Sequence, residues 1–153
     1  MEATPGALAR ALFDEVFTGR DLDRCDELFA HDFVEHALAP FGTDPPGAVD
    51  GPAHMRGVVS WLTDQFPDLR MTVEQVVADG PNVAVRVRAT GTNLGRLNGV
   101  LPPTGRTFEA DQSHWYRVEG GRFVEHWVTR DDLTSFVQLG VVPGPRPRSS
   151  PPG

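Results

Sequence analysis

The stretch Phe108–Gly140, FEADQSHWYRVEGGRFVEHWVTRDDLTSFVQLG, constrains the fold more than any other part of the chain. Alternating β-branched, aromatic and polar residues flank Gly120-Gly121, which predicts two strands joined by a tight turn. Leu133, Phe136 and Val137 then recur at helical spacing. A hairpin closed by a helix can form one wall of a pocket. Side chains two apart share a strand face, so Gln112, His114 and Tyr116 fall together on the first strand. The same parity groups Glu125, Trp127, Thr129 and Asp131 on the second and sends His126 to the opposite, outer side. Where the two groups coincide, a titratable histidine and a carboxylate share a concave surface beside Trp127.

Helical signals dominate the first half. Thr4-Pro5 reads as an N-cap followed by proline at the first helical position, backed by the apolar stripe Leu8, Ala11, Leu12 and Val16 and ended by Gly19. A shorter helix from about Asp21 carries Leu22, Cys25, Leu28 and Phe29 on one side, which makes Cys25 a core thiol. His31 reads as a helix-end residue and His54 as exposed. His36 sits at the base of a proline- and glycine-rich loop, ALAPFGTDPPGAVDG, which is either a pocket rim or a plain connection. A third helix starts at Asp50 or Gly51 with the stripe Met55, Val58, Val59, Leu62 and Phe66, and Trp61 lies at its edge.

From Leu69 the period changes to two, which predicts strands over MTVEQVVADG and NVAVRVRATGT. Val83, Val85 and Val87 face one way; Arg86 and Arg88 face the other, as a solvated face or as anion-binding groups. A second loop, NLGRLNGVLPPTG, leads into the hairpin. Helices first and a strand meander afterwards indicate an α+β fold with an antiparallel sheet curled around the helices.

A chain of 153 residues without repeats or an internal linker fits one domain over 1–142, followed by an extended, mobile tail over 143–153, PGPRPRSSPPG. The net charge of -7, with 14 scattered arginines as the basic residues, disfavours nucleic acid and anionic membranes as partners. No apolar run approaches the roughly 20 residues of a membrane span. The start MEATPGALAR lacks a signal-peptide pattern, and a lone Cys25 fits a reducing cytoplasm. The five histidines show no HxH or HxxxH spacing, so no metal site is expected.

Several segments in order resemble the SnoaL-like polyketide cyclase (ester cyclase) group of the nuclear-transport-factor-2-like superfamily. They are FPDLRMTVEQVVADG; Gly91-Thr92, Gly95 and Gly99 with Pro103-Thr104-Gly105; Tyr116-Arg117-Val118; and Val124-Glu125-His126-Trp127 through Asp131 to Gln138-Leu139-Gly140. The resemblance runs from Ala7 to Val142. It implies a single-domain, cone-shaped α+β barrel: three N-terminal helices on a strongly curved antiparallel sheet, a short C-terminal helix and a deep pocket. Members carry a Gln-x-His pair and a later aspartate that acts as acid/base in an intramolecular aldol closure. Here that implies Gln112, His114 and Asp131, with Asp132 contesting the aspartate role.

An aldol closure needs a base for a proton alpha to a carbonyl, donors for the enolate oxygen and a chamber that folds the substrate onto itself. Asp131 is the expected base and His114 the expected donor, although Asp131 also stands where the last helix would be capped and His114 could be a satisfied half-buried histidine. Gln112, Tyr116, Trp127, His36, Trp61 and Arg88 complete the expected binding residues. No metal or organic cofactor is required. The expected partners are a polyketide-like small molecule and a second copy of the chain, since the outer sheet face with Trp115 needs cover. Two alternatives stand beside this reading. One is a hydrolase or epoxide-opening enzyme in which Asp131 activates water and Arg88 or Arg130 orients the site; the other is a non-catalytic carrier or dimerisation module.

Overall fold

The structure, a computed structural model, describes residues 2–38 and 47–144. The first helix, α1 (Pro5–Ala11), opens where Thr4 Oγ1 accepts the Ala7 N–H at 3.2 Å. It runs on as a wider π-helical segment, Leu12–Thr18, that buries Leu12, Phe13, Val16 and Phe17. It ends at Gly19, where a Cβ would stand 2.6 Å from the Glu15 carbonyl oxygen and a larger residue would not fit. A 3-10 turn and the short α2 (Cys25–Leu28) follow, with Cys25 buried in the core.

β1 (Phe29–Glu35) occupies the segment that sequence periodicity left without an element. His31 is therefore a strand residue and not a helix end. Exposed His31 and Asp32 obscure the inward run of Phe29, Phe33 and Glu35. The two-residue β2 (Gly47–Ala48) pairs with β1, and α3 (Gly51–Gln65) packs behind them. Gly51 permits that packing, since a Cβ on it would meet the Ala30 carbonyl at 2.2 Å. β3 (Arg70–Asp79), β4 (Asn82–Thr92), β5 (Thr107–Glu119) and β6 (Arg122–Arg130) follow as the period-two pattern predicts, and α4 (Asp132–Gln138) as the helical spacing after Asp131 predicts.

The six strands form one sheet in the order β2-β1-β6-β5-β4-β3. The expected α+β architecture holds, with two refinements. β1 pairs with β6 in parallel, so the sheet is mixed, and it stays open at β2 and β3 instead of closing into a barrel. Phe13, Phe29, Phe33, Phe123 and Val85 are among the core side chains held between the helices and the inner sheet face. The tail expected from Pro143 lies, from residue 145 on, outside the described residues, as do residues 39–46 of the first loop.

Register decides which hairpin residues face the core, because partners opposite each other in an antiparallel pair share a face. Gln112 lies opposite Arg130, His114 opposite Val128 and Tyr116 opposite His126, whereas Trp115 lies opposite Trp127. Glu125, Trp127 and Thr129 share one side of β6, as strand parity predicts, but that side is the outer one. His126, assigned outward from sequence, is buried; Trp127 is 40% exposed.

Candidate active site

A cavity of about 840 Å³ opens between α3, the inner face of β5 and β6, and α4. Most of its wall is apolar: Phe17, Met55, Trp61, Leu62, Phe66, Leu97, Phe108, Phe136 and Leu139 line it. The π-helical segment helps to shape it, placing Phe17 in the wall and Phe13 edge-on to the His114 ring at 5.0 Å between centroids.

One polar chain crosses this wall. Glu35 Oε2 lies 3.1 Å from His54 Nε2, and Glu35 Oε1 lies 2.7 Å from His126 Nδ1 while also accepting the Ala37 N–H at 3.0 Å. His126 Nε2 lies 2.9 Å from His114 Nδ1, and His114 Nε2 lies 2.8 Å from Gln112 Oε1. Glu35, His54, His126, His114 and Gln112 all line the cavity. Burial alone would raise the Glu35 carboxyl, yet hydrogen bonds from His126 and His54 outweigh it and hold the group at about 2. Burial, with the neighbouring His126, pushes His114 well below the usual imidazole range and keeps it neutral. Tyr116, stacked on His126 at 4.5 Å, is pushed well above the phenol range by burial and by Glu35, so its hydroxyl remains a donor.

A second polar feature sits on the α4 side. Arg130 binds both oxygens of Asp132, Nε to Oδ1 at 3.2 Å and Nη2 to Oδ2 at 3.3 Å, and both residues line the cavity.

The expected site residues therefore separate. Gln112, His114, Tyr116 and Trp61 line the cavity; Asp131, Trp127, His36 and Arg88 do not. Asp131 is exposed and caps α4, accepting the Thr134 N–H at 3.1 Å, and hydrogen bonding to Thr134 holds its carboxyl below the usual range. Its neighbour Asp132 turns inward because one residue along a helix start rotates the side chain by about 100°. His36 stacks on Trp127 at 4.8 Å on the outer face and lies 2.7 Å from Glu125. Arg88 pairs there with Glu74 and Glu109, the solvated alternative of the two open from sequence.

Comparison with known proteins agrees with this architecture. The family model described as SnoaL-like polyketide cyclase matches residues 7–139. The chain belongs to the SnoaL-like polyketide cyclase family. Among its relatives, the aklanonic acid methyl ester cyclase DauD of Streptomyces sp. (strain C5) is 29% identical over 150 residues, 95% of this chain and 88% of the relative. The nogalonic acid methyl ester cyclase of Streptomyces nogalater is 30% identical over 124 residues, 80% of this chain and 87% of the relative. Wild-type IdmH of Streptomyces antibioticus superposes with a TM-score of 0.77 at 38% identity, covering 91% of this chain and 100% of that one.

In this SnoaL-like cyclase, sequence reading missed Glu35, His54 and His126. The signal for Glu35 was present: it stands two residues after Phe33, so reading 29–35 as a strand would have turned both inward. His54, expected to be exposed, precedes Met55 by one position and is half-buried, and only the approach of β1 to α3 shows that its ring meets Glu35. His126 needed the register of β5 against β6.

Proposed function

We propose that the protein closes a ring in a polyketide-type small molecule by cofactor-free acid/base chemistry. The observation that carries this reading is the Glu35-centred chain of histidines set in the wall of a large apolar cavity. An apolar chamber folds a flexible substrate onto itself, and the chain supplies proton transfer without ordered bulk water.

His54 is the base in this reading. With Nε2–H donating to the Glu35 carboxylate, Nδ1 is the ring nitrogen left to take a proton, and it has no partner among the described residues. Asp131 is occupied as a helix cap, and Asp132 is clamped by Arg130. Both nitrogens of His114 are engaged, so its part is to hold Gln112. His54 takes the proton alpha to one carbonyl, and the resulting carbanion attacks a second carbonyl within the same molecule. A carbon–carbon bond forms as the carbonyl π bond opens to an alkoxide, which takes the proton back from His54. Gln112 and Tyr116 donate to the oxygens that gain charge. The product is an isomer of the substrate.

The relatives' names supply test compounds: aklanonic acid methyl ester and nogalonic acid methyl ester. Incubation with the purified protein should give a product of unchanged mass and altered retention. A product that gains the mass of water would favour the hydrolase alternative, and binding without turnover would favour the carrier.

The same proposal includes a homodimer. Val77, Ala84, Trp115 and Trp127 form one cross-strand row on the outer face of four adjacent strands. Trp115 is 51% exposed and Val77 57%, and such a row on a free sheet face calls for cover. Light scattering at micromolar concentration should give twice the chain mass, and Trp115→Glu should halve it. A wild-type monomer would refute the dimer without touching the chemistry.

A further inference from the structure

The hydrogen bonds along the polar chain fix how many protons it holds. A carboxylate only accepts, so the 2.7 Å contact with Glu35 requires a proton on His126 Nδ1. One proton must lie between His126 Nε2 and His114 Nδ1, 2.9 Å apart. An amide oxygen also only accepts, so the 2.8 Å contact with Gln112 Oε1 requires a proton on His114 Nε2. That makes three protons on the four ring nitrogens, where two neutral imidazoles carry two. With the Gln112 oxygen turned toward His114 in this way, the histidine pair carries one positive charge, which the Glu35 carboxylate balances. The Gln112 amide nitrogen, with its oxygen held, has no partner among the described residues, and Gln112 lines the cavity.

Removing the extra proton changes what the chain can accept. One proton stays on His126 Nδ1 and one between the rings, leaving His114 Nε2 as a bare lone pair. The Gln112 oxygen would then oppose an acceptor. The contact is restored if the amide turns over, so that its NH2 donates to Nε2 and its oxygen faces the cavity.

We infer that Gln112 is a proton-coupled switch: it presents an N–H donor to the cavity when the His114–His126 pair is cationic and a carbonyl acceptor when the pair is neutral, with Glu35 and His126 as its positioning residues. The titratable and charged groups that line the cavity around the pair are Glu35 on β1, His54 on α3, Tyr116 on β5, Arg130 on β6 and Asp132 on α4, and the N-terminal helix sets the Phe13 ring against His114. Glu35 favours the cationic state, and Arg130 opposes it. The consequence for ring closure rests on the function proposed above: the donor state can stabilise an enolate oxygen, and the acceptor state repels it. The switch itself does not depend on that function.

A pH titration of ¹⁵N-labelled wild-type protein by NMR, with no ligand present, tests it. At low pH both His126 nitrogens and His114 Nε2 should carry protons while His114 Nδ1 does not. Raising the pH should remove one proton from the pair, and both Gln112 side-chain amide signals should move with the same midpoint. In Glu35→Gln the midpoint should fall to lower pH, because the balancing charge is gone. Gln112 signals that stay fixed through the imidazole titration would overturn the proposal, as would a His114 protonated on Nδ1 and bare on Nε2 at every pH. Should Glu35→Gln fail to fold, the wild-type titration decides alone. Because no turnover is measured, a negative result here is separate from a failure of the cyclase reading.

Discussion

Among single residues, the difference between Asp131 and His54 turns on what each side chain is already bonded to. Asp131 spends its carboxylate on the Thr134 N–H, and asparagine caps a helix about as well, so Asp131→Asn should leave turnover and stability near wild type. His54→Asn keeps a polar group near Glu35 but removes the basic ring nitrogen, and kcat should fall by about 10²–10⁴-fold. Steady-state rates on a substrate of the family, with folding checked by circular dichroism, compare the two. Full activity in a folded His54→Asn variant, or its loss in Asp131→Asn, would return the base to the aspartate. Gln112, His114, Tyr116 and Trp61 were legible in the sequence as cavity residues because strand parity and helical spacing are local properties. Glu35 and His54 were not, since their meeting depends on two elements 19 residues apart packing face to face.

Among the elements, the loop after β4 shows how one glycine sets the cavity wall. The Gly95 backbone lies against the end of α3, so that an added Cβ would fall 1.9 Å from the Asp64 carbonyl oxygen. The Leu94 and Gly95 N–H groups both donate to the Gln65 carbonyl there, and the Gln65 side chain accepts the Asn98 N–H at 2.7 Å. Asn98 and Leu97 of this loop line the cavity. Gly95→Ala must push the loop off the helix, at a cost of about 1–3 kcal/mol. Chemical denaturation should show that loss together with weaker substrate binding, and an unchanged midpoint would mean that the loop shifts without strain. The strands β3 to β6 followed directly from period-two patterning and turn glycines, whereas β1 escaped because its exposed half is polar and its neighbour β6 lies 91 positions later at the Glu35–His126 pair. A parallel pairing of that kind leaves no turn signal to read.

Across the whole molecule, the buried chain links folding to pH. The architecture as a layered α+β fold was legible because helices and strands are segregated along the chain, but no sequence pattern shows that a carboxylate and two histidines will be buried together. Their burial has a definite sign. Glu35 is held at about 2 in the folded protein, below the roughly 4.3 of a free glutamate, so it contributes stability above about pH 4.3 that is lost as the pH falls toward 2. The difference between about 2 and roughly 4.3 amounts to roughly 3 kcal/mol. His114 acts in the same direction at a higher pH: the unfolded chain takes up a proton near 6.5 and the folded protein resists it, so stability begins to fall below about pH 6.5. Denaturant midpoints measured from about pH 8 down to about pH 3 should therefore decline in two stages. Glu35→Gln should be less stable than wild type near neutrality and should lose the lower stage, because it has no carboxylate to protonate, while the decline that belongs to His114 remains. If wild type and Glu35→Gln lost stability in parallel below pH 4.3, the Glu35 carboxylate would not be held low by His54 and His126, and the chain would not be charged as described.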